Sequence, residues 1–309
     1  MTATDDKPLT PGQRMRLVKS ASYASLTLAL TLVALKSWGW QATGSVSLLS
    51  SLADSIVDVL ASVVTFWAVR FSMSPADEEH RFGHGKSEGI AALLQSLVVG
   101  GSGLYVCMEA VKRLMLPQSI HEPQIGVAVA GVATVATILL VSFQRYVVRR
   151  AGSIAISADA VHYQSDVLFN IGVGVSIVLT SSFGWTLADP LVGFVIAIFV
   201  LHSAVGIGKR SLEILLDHEI PEKDRGKIRK IALDHPDVRG FHDMKTRFGG
   251  NHYIVQFHLE FKSNITLWRS HEILDDVEDK IRGHYPGCEI IIHADPLGFP
   301  ERRDPFERI

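Results

Sequence analysis

Six apolar runs follow one another in the first two thirds of this 309-residue chain, at roughly Leu17–Trp38, Val46–Phe71, Gly89–Leu116, Ile125–Val148, Ile154–Phe183 and Leu187–Ile207. Each reaches the ~20 residues that a helix needs to span a bilayer. Only short links separate them. A soluble protein of this size has no core that could bury six such helices in series. The pattern predicts an α-helical membrane protein with six transmembrane helices, occupying residues 1–209.

Flanking charge predicts orientation. Arg14, Arg16 and Lys19 precede the first run, and Arg70, Arg81 and Lys86 lie between the second and third. Arg145, Arg149 and Arg150 mark the turn from fourth to fifth, and Lys209 and Arg210 follow the sixth. The links GWQATGS and SSFGW carry no Lys or Arg. The positive-inside rule then puts both termini in the cytoplasm, with Lys112 and Arg113 counting against it. The polar stretch MTATDDKPLTPGQRMRLVK has no A-x-A-like cleavage site and reads as a short tail. Small residues in VVGGSG and NIGVGVS would let helices approach closely. A net charge of −2 offers no basic field for nucleic acid. Cys107 lies in an apolar run and Cys288 in a polar region, so no disulfide is expected, and the lack of a CxxC pair argues against a thiolate zinc site.

After Arg210 the composition changes. The remainder mixes polar and apolar residues and holds eight of the 13 histidines. EIPEKDRGKIRKIALDHP predicts a helix with Pro221 near its start. HYIVQFHLEF alternates as a strand, with Tyr253, Val255, Phe257, Leu259 and Phe261 on one face and His252, Gln256, His258 and Glu260 on the other. TLWRSHEILDDVEDKIRGHYPG predicts a second helix, started by Thr266 and stopped near Gly283 to Gly287, and CEIIIHADP predicts a last strand. The order α-β-β-α-β makes residues 210–309 a small two-layer α+β domain of the ferredoxin-like or metallochaperone-like class, in the cytosol.

Two of the apolar runs carry charge at their centre. SLADSIVDVLASVVTFWAVRF places Asp54 and Asp58 four residues apart. Each would cost about 2.5–3.5 kcal/mol in mid-bilayer. ADAVHYQSDVLFN gives His162 and Asp166 the same spacing, and residues i and i+4 share a helix face. Each pair begins eight residues into its run, or ~12 Å along a helix. Approached from opposite sides of a ~30 Å core, both pairs reach the midplane. Three carboxylates and one imidazole could then converge tetrahedrally on one divalent cation, whose charge would offset theirs. A proton relay or a structural polar network is the rival reading; two matched pairs favour the metal. Asp159, one turn before His162, either lines the inward path or is hydrated at its mouth.

Other groups offer weaker patterns. Asp77, His80 and His84, spaced by three and four, fit one face of a helical turn and either hold a cation or are solvated. His293 and Asp295 share a strand face, and His258 lies opposite the apolar face of its own strand.

The D-x3-D and H-x3-D pairs, the loop PADEEHRFGHGKSEGIAALLQS and the order of six spans followed by a histidine-rich domain together resemble the cation diffusion facilitator family over nearly the whole chain. The likeness is greatest to its bacterial zinc and iron efflux branch. The resemblance implies a homodimeric exporter of zinc, with cadmium, ferrous iron, cobalt or manganese as related substrates, set in the lipid bilayer of the bacterial inner membrane. It implies metal/proton antiport by alternating access. It also implies a transport site at Asp54, Asp58, His162 and Asp166, and a secondary loop site at Asp77, His80 and His84. A binuclear zinc site would fall among His242, His258, His271, His293 and Asp295, with Asp295 bridging. His218, His235, His252 and His284 read as surface residues. A ligating histidine must be neutral, so metal binding would depend on pH. A membrane metalloenzyme is disfavoured, because no HExxH occurs and no serine–histidine arrangement is evident. A passive channel or a membrane metal sensor would also bind cations. Four tight ligands would slow release through a channel, and a sensor has no need of a midplane site.

Overall fold

The computed structural model describes residues 9–43, 46–115, 124–185, 187–250 and 252–298. Six long helices come first: α1 (Pro11–Thr43), α2 (Val46–Ser72), α3 (Ser87–Met115), α4 (Gln124–Ala151), α5 (Ile154–Phe183) and α6 (Ala188–Leu215). A smaller set follows: α7 (Glu222–Leu233), β1 (Gly240–Phe248), β2 (Tyr253–Phe261), α8 (Leu267–His284) and β3 (Glu289–Pro296). The chain divides into two compact units after Leu215.

Five of the helices, α1 to α4 and α6, are long and apolar enough to cross a membrane. The sixth, α5, spans 30 residues and carries Asp159, His162 and Asp166. Every one of the six leaves large apolar side chains facing outward, among them Leu30, Trp67, Leu97, Leu139, Val178 and Val205. Its buried side is lined instead by small residues such as Ala21, Ser25, Ser62, Ala92, Ala133, Ala158 and Ala204. That inverts the soluble pattern and suits a lipid solvent, where close packing holds helices together. The two glycine stretches serve this packing. A Cβ added at Gly172 on α5 would meet Ile196 Cδ1 of α6 at 2.5 Å, and one at Gly103 on α3 would meet Leu201 and Val200 of α6 at 3.2 Å.

The start of α1 corrects the expected tail. Residues 1–8 lie outside the described residues, but the helix already begins at Pro11. Thr10 and Gln13 form a reciprocal cap: Gln13 N–H donates to Thr10 Oγ1 (3.3 Å) and Thr10 N–H donates to Gln13 Oε1 (3.0 Å). Proline at the first helical position gives up no hydrogen bond. Between α4 and α5 the chain turns on Gly152 at φ 68°, a left-handed conformation that costs glycine little.

The C-terminal unit is a three-stranded sheet in the order β1-β2-β3, with two helices on one face. β1 and β2 are antiparallel; β2 and β3 are parallel, joined through α8 as a crossover. Val255, Phe257, Leu259 and Phe261 are buried against Ile228 and Ala232 of α7 and Ile273, Val277 and Ile281 of α8. The period-two reading of β2 therefore holds, and its other face is left for polar groups. α8 starts where expected, Thr266 Oγ1 accepting from Arg269 N–H at 3.2 Å.

Candidate metal centres

The i, i+4 pairs on α2 and α5 bring three groups together. His162 Nε2 lies 2.9 Å from Asp58 Oδ1 and 4.0 Å from Asp166 Oδ2. Ligand atoms of Asp58, His162 and Asp166 all fall within 4.8 Å of one another. Tyr163 crosses edge-on to the His162 ring at 5.5 Å. Asp54 is exposed one turn earlier on α2 and is not in that group among the described residues. Helix geometry explains the split: four residues turn the chain about 40° past a full turn and carry it ~6 Å along the axis. The α5 pair meets the level of Asp58.

Two further charged residues of this unit have partners that sequence spacing did not indicate. Asp159 is fully buried, so in this structure it neither faces an open path nor is hydrated. Its carboxylate accepts from Ser25 of α1 (2.6 Å), Gln95 of α3 (3.1 Å) and Gln144 of α4 (2.6 Å). Ser25 in turn meets Ser62 of α2 (3.1 Å), which meets Tyr163 OH (2.8 Å). A buried carboxylate demands donors, and three helices supply them. Lys36 of α1 donates to Ser55 Oγ (2.6 Å) and to the Ser51 carbonyl (3.1 Å), both on α2. One lysine in an apolar run reads as incidental until its neighbours are known.

Asp77, His80 and His84 also converge, with ligand atoms within 4.8 Å. They do so in a turn-rich loop, not on a helical turn. Pro75 disfavours helix before it, and Gly83 sits at φ 77°. Asp77 Oδ1 accepts from the N–H groups of Glu79 (3.0 Å) and His80 (2.6 Å), which folds the loop around the carboxylate. His80 Nδ1 and His84 Nε2 each approach Asp77 oxygens at 3.1 Å. The His84 side chain is only 3% exposed, against 53% for Asp77. The Asp77 carboxyl is held below its ordinary value, foremost by the His80 backbone hydrogen bond and then by the His80 side chain.

In the C-terminal unit, strand register makes the cluster. His242 pairs with His258, and His258 with His293, giving one row of imidazoles across three strands. Asp295 reaches all three: its oxygens lie 2.8 Å from His258 Nδ1, 3.1 Å from His293 Nε2 and 3.7 Å from His242 Nε2. His271 lies apart. It is 74% exposed on α8, with Asp275 at 3.8 Å. Two carboxylates missed in the sequence complete the surroundings. Glu260 Oε1 is 3.3 Å from His242 Nδ1, and Asp243 Oδ2 is 3.6 Å from His258 Nε2. Glu260 shares the period-two face with His258, so the signal was present. Asp243 should point away from its neighbour His242 in a regular strand. A bulge between His242 and Lys245, with Asp243 at φ 44°, turns it onto the same face. His235 corrects the surface reading: it is 9% exposed, and its Nδ1 accepts from Asp237 N–H at 3.2 Å, which closes the turn after α7.

Comparison with known proteins accounts for both units. Residues 22–216 match the cation efflux transmembrane domain, and residues 220–297 match the cytoplasmic domain of cation efflux proteins. The cation-efflux pump FieF of Salmonella choleraesuis (strain SC-B67) is 42% identical over 287 residues, 93% of this chain and 95% of its own. That of Pectobacterium atrosepticum is 43% identical over 282 residues, 91% and 94% of the two chains. A solved structure of CzrB aligns with 26% of this chain and 99% of its own at 26% identity, with a TM-score of 0.25, too low to bear on the fold. A multi-pass helical unit followed by a small α+β domain, both matched along their length, is the architecture of a transporter and not of an enzyme: the chain belongs to the cation diffusion facilitator family of cation efflux transporters.

Proposed function

We propose that this protein exports divalent metal ions, zinc foremost and cadmium or ferrous iron as further substrates, as a metal/proton antiporter of the bacterial inner membrane with both termini in the cytoplasm. The observation that carries the reading is the meeting of Asp58, His162 and Asp166 between two membrane helices. Asp54, one turn away, is the fourth ligand. Nitrogen and oxygen donors without thiolate suit zinc and its neighbours while leaving exchange easy. A neutral imidazole is required for binding, so protonation of His162 and of an aspartate expels the ion when the site opens outward. The helices α2 and α5 share few contacts with each other, whereas α3 and α6 pack along their length. Access therefore alternates by movement of α2 against α5. The loop group at Asp77 takes up metal on the way. The row of histidines around Asp295 holds regulatory metal, with that carboxylate bridging, and supports a homodimer.

Proteoliposomes test this. Metal accumulation against its gradient, driven by an imposed pH difference and abolished by collapsing that difference, is expected. Equal metal flux with and without the pH difference would refute antiport and leave a passive channel.

A further inference from the structure

Along one face of α2 lie Ser51, Ser55, Asp58 and Ser62, spaced by four, three and four residues. Neighbouring helices meet this face at successive levels. Ser62 joins Ser25 and, through it, the buried carboxylate of Asp159. Asp58 joins His162. Ser55 and Ser51 receive the ammonium of Lys36. The cluster of ligands thus has the Asp159 carboxyl on one side and the Lys36 amine on the other. Asp54 directly precedes the serine that Lys36 touches, and the ammonium interacts electrostatically with Asp58, Asp166 and Asp54 alike.

We propose that Lys36 sets the affinity of the membrane site: a tethered cation that offsets part of the ligands' charge and lowers their hold on a divalent ion, so that the ion can leave. The inference rests on the reading of Asp58, His162 and Asp166 as the transport site. A flexible four-carbon stem and a compact ammonium allow the charge to stay close without entering the coordination shell.

The test uses the full-length protein carrying Asp77→Ala and Asp295→Ala, so that zinc titrates the membrane cluster. Lys36→Gln removes the charge but keeps an amide donor for Ser55 and the Ser51 carbonyl. It should bind zinc roughly tenfold more tightly by calorimetry, since a repelling charge beside the ligands is gone. In transport both KM and kcat should fall. Lys36→Met should do the same where it folds, and Lys36→Arg, which keeps the charge, should stay within about twofold of the parent. A folded Lys36→Gln protein with the parent's Kd, KM and kcat would reduce Lys36 to a clip between α1 and α2 and overturn the proposal. Asp58→Ala in the same background should lose binding. If it binds as the parent does, the transport-site reading fails; if it loses binding while Lys36→Gln is unchanged, only the role of Lys36 fails.

Discussion

Two of the histidine–carboxylate clusters, that of the membrane unit and that of the sheet, use similar donors on opposite kinds of scaffold. In the membrane unit the donors come from α2 and α5, which share few contacts. In the C-terminal unit they come from three strands bonded in register, where His242, His258 and His293 cannot change spacing without breaking the ladder. Backbone hydrogen bonds fix the second set; side-chain packing and side-chain hydrogen bonds place the first. Two helices with little shared surface lose little by moving apart, whereas a slip of one residue in a sheet would turn every ligand to the other face. The loose pair suits an ion that must leave, and the locked row suits one that stays. Surroundings sharpen the contrast. Asp58 and Asp166 lie on membrane helices, where charge is expensive, whereas Asp295 lies on a sheet in the other unit.

Three experiments press on this difference. The largest effect is expected at the membrane pair. Asp58→Ala or Asp166→Ala should lower transport at least ~100-fold while the protein stays folded and inserted, because each deletes a proposed ligand and also a charge on a membrane helix. Wild-type rates in proteoliposomes from either purified variant would remove these residues from the transport site.

A moderate effect is expected in the sheet. A ligand that binds only the folded state stabilises it, so zinc should raise the unfolding temperature of the C-terminal domain in the wild type. The rise should shrink most in Asp295→Ala, which loses the carboxylate shared by three imidazoles, and less in Asp243→Gly. Glycine suits the positive φ of Asp243, so this second change removes a carboxylate without straining the bulge. Differential scanning calorimetry with and without zinc decides it; equal shifts in all three proteins would make the row a solvated surface. Transport should fall far less than in Asp58→Ala.

The smallest effect concerns charge outside both clusters. Asp237 is held below its ordinary value of 3.8 by Arg269, and Asp276 below the same value by Lys280. A carboxylate with a depressed folded value contributes stability above its ordinary value and loses it as pH falls through the depressed one. Both groups are exposed, so Arg269→Ala should move the acid unfolding midpoint of the domain only slightly upward, in the region below pH 3.8. Circular dichroism against pH reads the shift. A large one would mean that Asp237 and Arg269 belong to a larger network.

Much of this organisation was legible in the sequence, for physical reasons. Runs of ~20 apolar residues leave few alternatives to membrane helices, and strict alternation in β2 fixed which face carried His258. Spacing by four was enough to place Asp58, His162 and Asp166 on shared faces. What periodicity could not reveal were departures from it. Asp243 reaches the histidine row only because a bulge reverses its direction. Asp77, His80 and His84 have helical spacing yet meet in a loop wound on backbone donors. A cap of Thr10 and Gln13 starts α1 among polar residues, where hydropathy alone signals a tail. Asp159 acquires its role from helices distant in sequence, and Lys36 from the level at which α1 meets its neighbour α2; spacing within one helix signals neither.

The parallel pairing of β2 with β3 also bears on when the C-terminal centre can be built. His242 and His258 lie on adjacent antiparallel strands and can meet as soon as a short hairpin forms. Asp295 follows His258 by 37 residues and reaches it only after α8 has folded back across the sheet. Contacts between such distant positions form late, so during synthesis the histidines are in place before their common carboxylate arrives. A nascent chain halted before Glu289 would present a weak imidazole pair to cellular metal. The complete centre is therefore a mark of a finished domain, and metal held there reports that folding has run to its last strand.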